Sequence, residues 1–238
     1  MAFASDDDNE IKTLNEAKEI SAATGKPILI EFVRSDWQFC KKAAREAESE
    51  PVVINALQKV VHLPLNVQTD YGKEIGEIYY IGKFLPLFIL ADKNGDVIIR
   101  WDGYSNADKF ARKLNSSLKD LVTMREREEK EPSQRSVRDV NILASYYEDI
   151  KEYKKAVHFW RTGLGMKEKY RQTYLMKLFE NYANGCWNDV YPFDSVTTAI
   201  DVLFNEPDFS QGDLVKAVRM TSNVARKTNN TDHIRQYL

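Results

Sequence analysis

Lys26-Pro27-Ile28-Leu29-Ile30-Glu31-Phe32-Val33-Arg34-Ser35-Asp36-Trp37-Gln38-Phe39-Cys40-Lys41-Lys42 runs from an apolar segment through a Trp-bearing polar turn into a stretch suited to a helix. Pro27 to Val33, rich in β-branched and aromatic residues and followed by the polar Ser35, reads as a buried strand. Residues 38–48, rich in Ala, Lys and Glu, read as a helix, which puts Cys40 at its start. The layout is that of a redox site with one sulfur missing. Thiol–disulfide exchange needs a thiolate activated at a helix N-terminus and a second thiol to resolve the mixed disulfide, and Cys40 is the only sulfur in this stretch.

Working outward, Ile11, Leu14, Ala17 and Ile20 predict a first helix near 9–24, ended by Gly25. Pro51 opens a short helix, and Val60 to Val67 alternates as a second strand. Thr69-Asp70-Tyr71-Gly72 reads as a turn, and Ile75, Ile78, Tyr79 and Phe84 as a helix with its exit. Leu87 to Ala91 and Val97 to Trp101 read as strands joined by the hairpin turn Asp92-Lys93-Asn94-Gly95, and Asn106 to Thr123 as a long amphipathic helix. This order predicts an α/β sandwich: one mixed sheet, helices on both faces. From Met124 to Arg135 charged residues dominate, and the segment reads as a linker or a solvated helix extension. Beyond it every period is helical, with helices at 136–149, 152–165, 169–184, 194–205 and 211–228. The expected domains are 5–122, a connecting 123–135, and an all-α domain at 136–238.

Composition limits the function classes. The chain has 238 residues, 43% hydrophobic and 29% charged, with formal net charge −2. That balance supplies no field for a nucleic-acid backbone, and no apolar run reaches the ~20 residues that span a bilayer. Ala2-Phe3-Ala4 has the small-x-small form left beside a signal-peptidase site, so an exported or periplasmic protein with its leader removed fits, as does a cytoplasmic one. Cys40 and Cys186 lie far apart, so no disulfide framework is expected. His62, His158 and His233 have no partners at metal-ligand spacing, and neither a metal nor a cofactor is expected. Gly163-Leu164-Gly165 reads as a helix stop, and Cys186 as a packing residue in a loop after Gly185.

Two resemblances follow. Ser35-Asp36-Trp37 with Cys40-Lys41, then Phe84-Leu85-Pro86-Leu87, Asp92-Lys93-Asn94-Gly95 and Asp102-Gly103-Tyr104, resemble the thioredoxin superfamily over roughly residues 9–122, especially exported members whose active-site turn reads Ser-Asp-Trp-Cys-x-x-Cys. The resemblance implies a thioredoxin-like fold, a cis Pro86 beside the active-site turn, and Glu31 at the strand position of the family's proton-transferring Asp, either in that role or exposed. Trp37 or Gln38, depending on register, replaces the family's first cysteine, so the dithiol cycle cannot run. Trp37 then serves as a substrate platform or as a plug. Cys40 remains a candidate monothiol, its acidity raised by the helix start and by Lys41 and Lys42, or else a buried packing residue.

Leu143-Ala144-Ser145-Tyr146-Tyr147, then Tyr153, Ala156, Trp160 and Leu164, resemble one tetratricopeptide repeat, with a degraded second unit around Leu178 and Tyr182. Small Ala144 and Ala156 allow two helices to approach while Tyr147, Tyr153 and Trp160 fill the space between them. Tyr170, Tyr174, Phe179, Tyr182 and Tyr191 read as core and groove lining. The resemblance implies a polypeptide partner on the concave face, with Arg138, Asn141, Ser145 and Glu148 as polar contacts. The expected function is a thioredoxin-like binding or chaperone-like protein without a dithiol site. The alternative is a monothiol oxidoreductase or isomerase-like enzyme using Cys40.

Overall fold

The structure, a computed structural model, describes residues 11–232; Ala2-Phe3-Ala4 and His233 lie outside them. The chain divides into two compact units that meet between Glu129 and Lys130.

In the first unit the elements are α1 (Leu14–Thr24), β1 (Ile28–Val33), α2 (Gln38–Ser49), α3 (Pro51–Leu57), β2 (Val61–Asn66), α4 (Asp70–Ile78), β3 (Leu87–Ala91), β4 (Val97–Asp102), α5 (Ala107–Ser117) and α6 (Met124–Glu129). The four strands form one mixed sheet in the order β2-β1-β3-β4, with β1 parallel to β2 and antiparallel to β3. Period-two alternation sorts β1 between two cores. Ile28, Ile30 and Phe32 pack with Leu14, Ala17 and Ile75 of α1 and α4, while Leu29 packs with Ala43, Val53 and Leu114 of α2, α3 and α5. Glu31 therefore falls on the α2 face. The edge strand β2 is protected in its sequence: the Val61 N–H bonds to Pro27 O and the Val67 N–H to Val33 O. Its even-numbered positions thus face outward, and Pro64 removes one free donor there.

Local chemistry sets the helix starts. Thr13 and Glu16 form a capping box on α1, and left-handed Gly25 ends it. Thr69-Asp70-Tyr71-Gly72 is not a free turn: Thr69 caps α4 by accepting the Gly72 N–H at 3.0 Å. A Cβ at Gly72 would come 2.0 Å from Asn66 O, so glycine lets this helix begin against the end of β2. Asn106 caps α5, which stops at Ser117 rather than reaching Thr123. Thr123 instead pairs with Glu126 at the start of α6. The stretch read as a linker or a solvated helix extension thus contains a helix that is packed rather than solvated: its Met124 is buried and its Arg127, 2% exposed, pairs with Asp120 at 2.8 Å. Composition misled here because the arginine's charge is neutralised inside the fold.

The second unit is helical: α7 (Val137–Asp149), α8 (Tyr153–Leu164), α9 (Arg171–Trp187), α10 (Phe193–Asn205) and α11 (Gln211–Thr228), joined by short turns. Ala144 and Ala156 are fully buried between α7 and α8, with Tyr147, Tyr153 and Trp160 nearly so. The helix α8 ends at Leu164 before Gly165. By contrast α9 runs through Gly185 to Trp187, so Cys186 lies in a helix and not in a loop. A Cβ at Gly185 would come 2.6 Å from the Tyr191 ring, and this glycine is kept for packing.

Candidate functional site

The Trp-bearing turn leaves β1 and is fixed from several directions. The Arg34 guanidinium grips Asp36 with Nε and Nη2 donating at 2.9 and 2.6 Å, and the Trp37 N–H returns to Arg34 O at 3.2 Å. The hydrogen-bonded Arg34 beside it holds the Asp36 carboxyl below its usual range. Ser35 donates its backbone N–H and its hydroxyl to Gln68 Oε1 at 3.3 and 2.8 Å. Trp37 then occupies the N-cap of α2, which has no side-chain cap, and Gln38 is the exposed first helical residue.

Trp37 and Phe39 point outward, 43% and 42% exposed, with ring centroids 6.2 Å apart. Both line a cleft of about 570 Å³ whose other wall comes from Lys83, Phe84 and Leu85, and whose end comes from Asp102 to Ser105. Phe84 is 75% exposed. The Leu85–Pro86 peptide bond is cis, Pro86 is buried, and its carbonyl accepts the Gly103 N–H at 2.8 Å. These contacts bring the Trp37 turn, the Pro86 loop and the segment after β4 to one rim. Tyr104, buried at the cleft's end, donates its hydroxyl to Glu46 Oε2 at 2.7 Å. Burial and that carboxylate push the phenol well above its ordinary value.

Cys40 points the other way. It is 4% exposed and its Sγ accepts the Arg34 N–H at 3.5 Å. Burial pushes the thiol up; the Arg34 N–H opposes this, and the Glu31 carboxylate adds to the rise. The expected acidification by Lys41 and Lys42 fails because Lys41 is exposed and Lys42 reaches away to Ser105 O at 2.7 Å. Glu31 is 7% exposed and meets His62 Nε2 at 2.7 Å. Sequence spacing hid that partnership, since only the parallel pairing of β1 with β2, which sets His62 opposite Leu29 and Pro64 opposite Glu31, makes the two diagonal neighbours on one face. Cys186 is also buried, and burial pushes its thiol up as well. A raised thiol pKa favours the protonated folded state, so its stabilising share is complete below the ordinary thiol range and is lost as pH rises through the raised value. Iodoacetamide at pH 7.5 is expected to modify both cysteines at least about tenfold more slowly in native protein than in urea. Mass spectrometry showing fast native labelling at Cys40 would contradict this burial.

In the helical unit the four residues expected to contact a partner differ in setting. Arg138 and Ser145 are exposed, whereas Asn141 and Glu148 are partly buried. Glu148 Oε1 receives Lys177 Nζ at 2.9 Å, and its Oε2 receives Asn181 Nδ2 at 3.0 Å and Trp160 Nε1 at 3.3 Å. Lys177 also reaches Glu180 at 3.3 Å, which is paired with Lys216. This ladder links α7, α9 and α11 and commits the Glu148 carboxylate to the fold. Of the aromatic series, Tyr174 and Phe179 are core, Tyr170 is 37% exposed, and Tyr182 packs edge-on against Tyr191 at 4.9 Å. His158 is exposed beside Phe159.

A β-α-β start, a mixed four-stranded sheet and a cis proline opposite a helix start define a thioredoxin-like α/β domain, followed by a helical region. A family model described as a thioredoxin-like domain matches residues 14–117. Among solved structures, a thioredoxin from Thermus thermophilus matches with 21% identity over 46% of this chain and 86% of that one, at a TM-score of 0.41. No curated protein matches the chain. Among the described residues no helix is long and apolar enough to cross a membrane.

Proposed function

We propose that the thioredoxin-like domain is a non-catalytic polypeptide-binding module, chaperone-like in its use of an open apolar cleft, and that the tetratricopeptide-like helical region is a second partner-docking half. The observation that carries this reading is the placement of Trp37, Phe39 and Phe84, all substantially exposed, around one cleft. Its volume falls in the usual range of ligand sites, about 300–1,000 Å³. Exposed aromatics on a fixed rim lose little conformational freedom on binding and supply large contact areas. The chemistry that would turn such a cleft into a redox enzyme is missing: an indole stands where an exposed nucleophile is needed, and Cys40, the one thiol of this domain, faces inward. The competing reading, a monothiol enzyme using Cys40, is supported by the Arg34 N–H aimed at its sulfur and opposed by the burial of that sulfur. An envelope or export setting suits a polypeptide-binding role and belongs to the proposal as well.

The test is capture of fluorescein-labelled reduced insulin B chain, followed by anisotropy. The double variant Trp37→Ser, Phe84→Ser is expected to weaken capture about tenfold or more, with the melting temperature nearly unchanged because both side chains are exposed. Unaltered capture would remove the cleft from the mechanism.

A further inference from the structure

The helical unit carries a second cleft, of about 480 Å³, on a face separate from the Glu148 ladder. Its floor is one stripe of α9: Arg171, Leu175, Leu178 and Tyr182, at i, i+4, i+7 and i+11, fall on the same helix face. At 1.5 Å per residue the stripe is about 16 Å long, room for about five residues of extended chain. One wall is the end of α8, with Arg161 and Leu164; the other is α10, with Asp194, Ala199 and Val202.

The two arginines have different duties. Arg171 is already paired, its Nε donating to Glu206 Oε1 at 2.7 Å. Arg161 has no carboxylate partner among the described residues. Its guanidinium lies 5.7 Å over the Tyr182 ring and donates to the Tyr182 hydroxyl. Accepting that bond leaves the phenol's own proton free to donate. A guanidinium held on a ring, with a hydroxyl donor beside it, is a pre-set anion site at the end of an apolar trough, and little rotamer freedom remains to be lost there. The antiparallel run of α9 and α10 brings the Asp194 region to this same end. The Asp194 carboxylate has no side-chain partner among the described residues, so the end offers an acceptor as well as donors. A free anion answers only Arg161. A polypeptide answers both, since a backbone N–H can donate to Asp194 while an acidic group accepts from Arg161.

From this juxtaposition we infer that the α8–α9–α10 cleft docks an extended partner segment in which an acidic side chain follows bulky apolar ones, the apolar residues lying on Leu175, Leu178 and Val202 and the acid meeting Arg161 and Tyr182. The inference rests on the reading of the helical region as a partner-docking half, but not on the Trp37 cleft.

The probe is a fluorescein-labelled peptide, acetyl-Gly-Leu-Leu-Glu-Leu-Gly-amide, compared with its Glu-to-Gln analogue by anisotropy on the full chain. The acidic peptide is expected to bind about tenfold more tightly. Arg161→Gln should erase that difference, and Ala199→Trp, which fills the trough, should abolish binding of both. Circular dichroism melts identify any variant that fails to fold; if Ala199→Trp does, Val202→Ser, at a side chain 41% exposed, should weaken both peptides together. The Trp37→Ser, Phe84→Ser variant should bind both peptides as the unaltered protein does, which separates failure here from failure of the first cleft. Equal affinity for the two peptides, persistence of the difference in Arg161→Gln, or loss of binding in the Trp37→Ser, Phe84→Ser variant would overturn the assignment.

Discussion

Trp37→Cys is expected to confer catalytic insulin reduction by dithiothreitol, whereas Gln38→Cys is not. In helical geometry residues three apart lie about 60° apart around the axis and residues two apart about 160°. Trp37 sits at the N-cap and Cys40 three positions on, so a sulfur at 37 stands over the same side of the first turn and is exposed where the indole now is. A sulfur at 38 leaves the helix on the far side from Cys40 and cannot reach disulfide geometry without moving the backbone. In Trp37→Cys the buried Cys40 becomes the resolving thiol, and turnover should rise roughly tenfold or more over the unaltered protein, to be lost again in Trp37→Cys, Cys40→Ser. Background activity in all variants would show that the cleft cannot orient a disulfide. Activity in Gln38→Cys alone would reverse the register. Dithiol-like turnover by the unaltered protein, abolished by Cys40→Ser, would overturn the non-catalytic reading.

Glu148→Ala is expected to destabilise the helical unit by about 1–3 kcal/mol, because it strands three donors at once. Lys177, Asn181 and Trp160 all donate to that carboxylate. Burial alone would pull the Lys177 ammonium down, but Glu148 and Glu180 outweigh it and hold it above its ordinary value. That contribution is complete below the ordinary lysine range and fades as pH rises through the raised value. The cost falls below that of breaking a fully buried pair because Glu148 and Lys177 keep 21% and 35% of their side-chain surface in solvent. Ser145→Ala, at an exposed position of the same helix, should stay within about 0.5 kcal/mol. Urea unfolding followed by circular dichroism measures both; a silent Glu148→Ala would return that residue to the partner-contact set.

Much of this molecule is legible before folding because its signals are local. The β1 run, the Asp92-Lys93-Asn94-Gly95 turn with left-handed Gly95, and the apolar periods of α7 to α11 each need only neighbouring residues, and all appear within a few positions of where the sequence puts them. The resemblance to thioredoxins placed cis Pro86 as well. What local signals miss is any fact made by two distant segments. Thr69 looks like a turn residue until Asn66 O stands over Gly72; Arg127 looks solvated until Asp120 meets it.

The candidate site divides on the same line. By itself the sequence determined that positions 37 and 38, the two candidates for the first-cysteine place, carry an indole and an amide and no thiol, because a missing atom is missing in every conformation. Tertiary structure alone decided the rest. Side-chain direction at the start of α2 turned Trp37 out and Cys40 in, and burial then raised the thiol's pKa where the lysines beside it in sequence had promised the opposite. Strand pairing joined Glu31 to His62, and helix packing spent Glu148 on Lys177 while leaving Arg161 without an acid among the described residues. Chemical identity is carried by the chain, whereas acidity, exposure and partnership are set by distances across the fold, where electrostatic energy depends on burial as strongly as on charge.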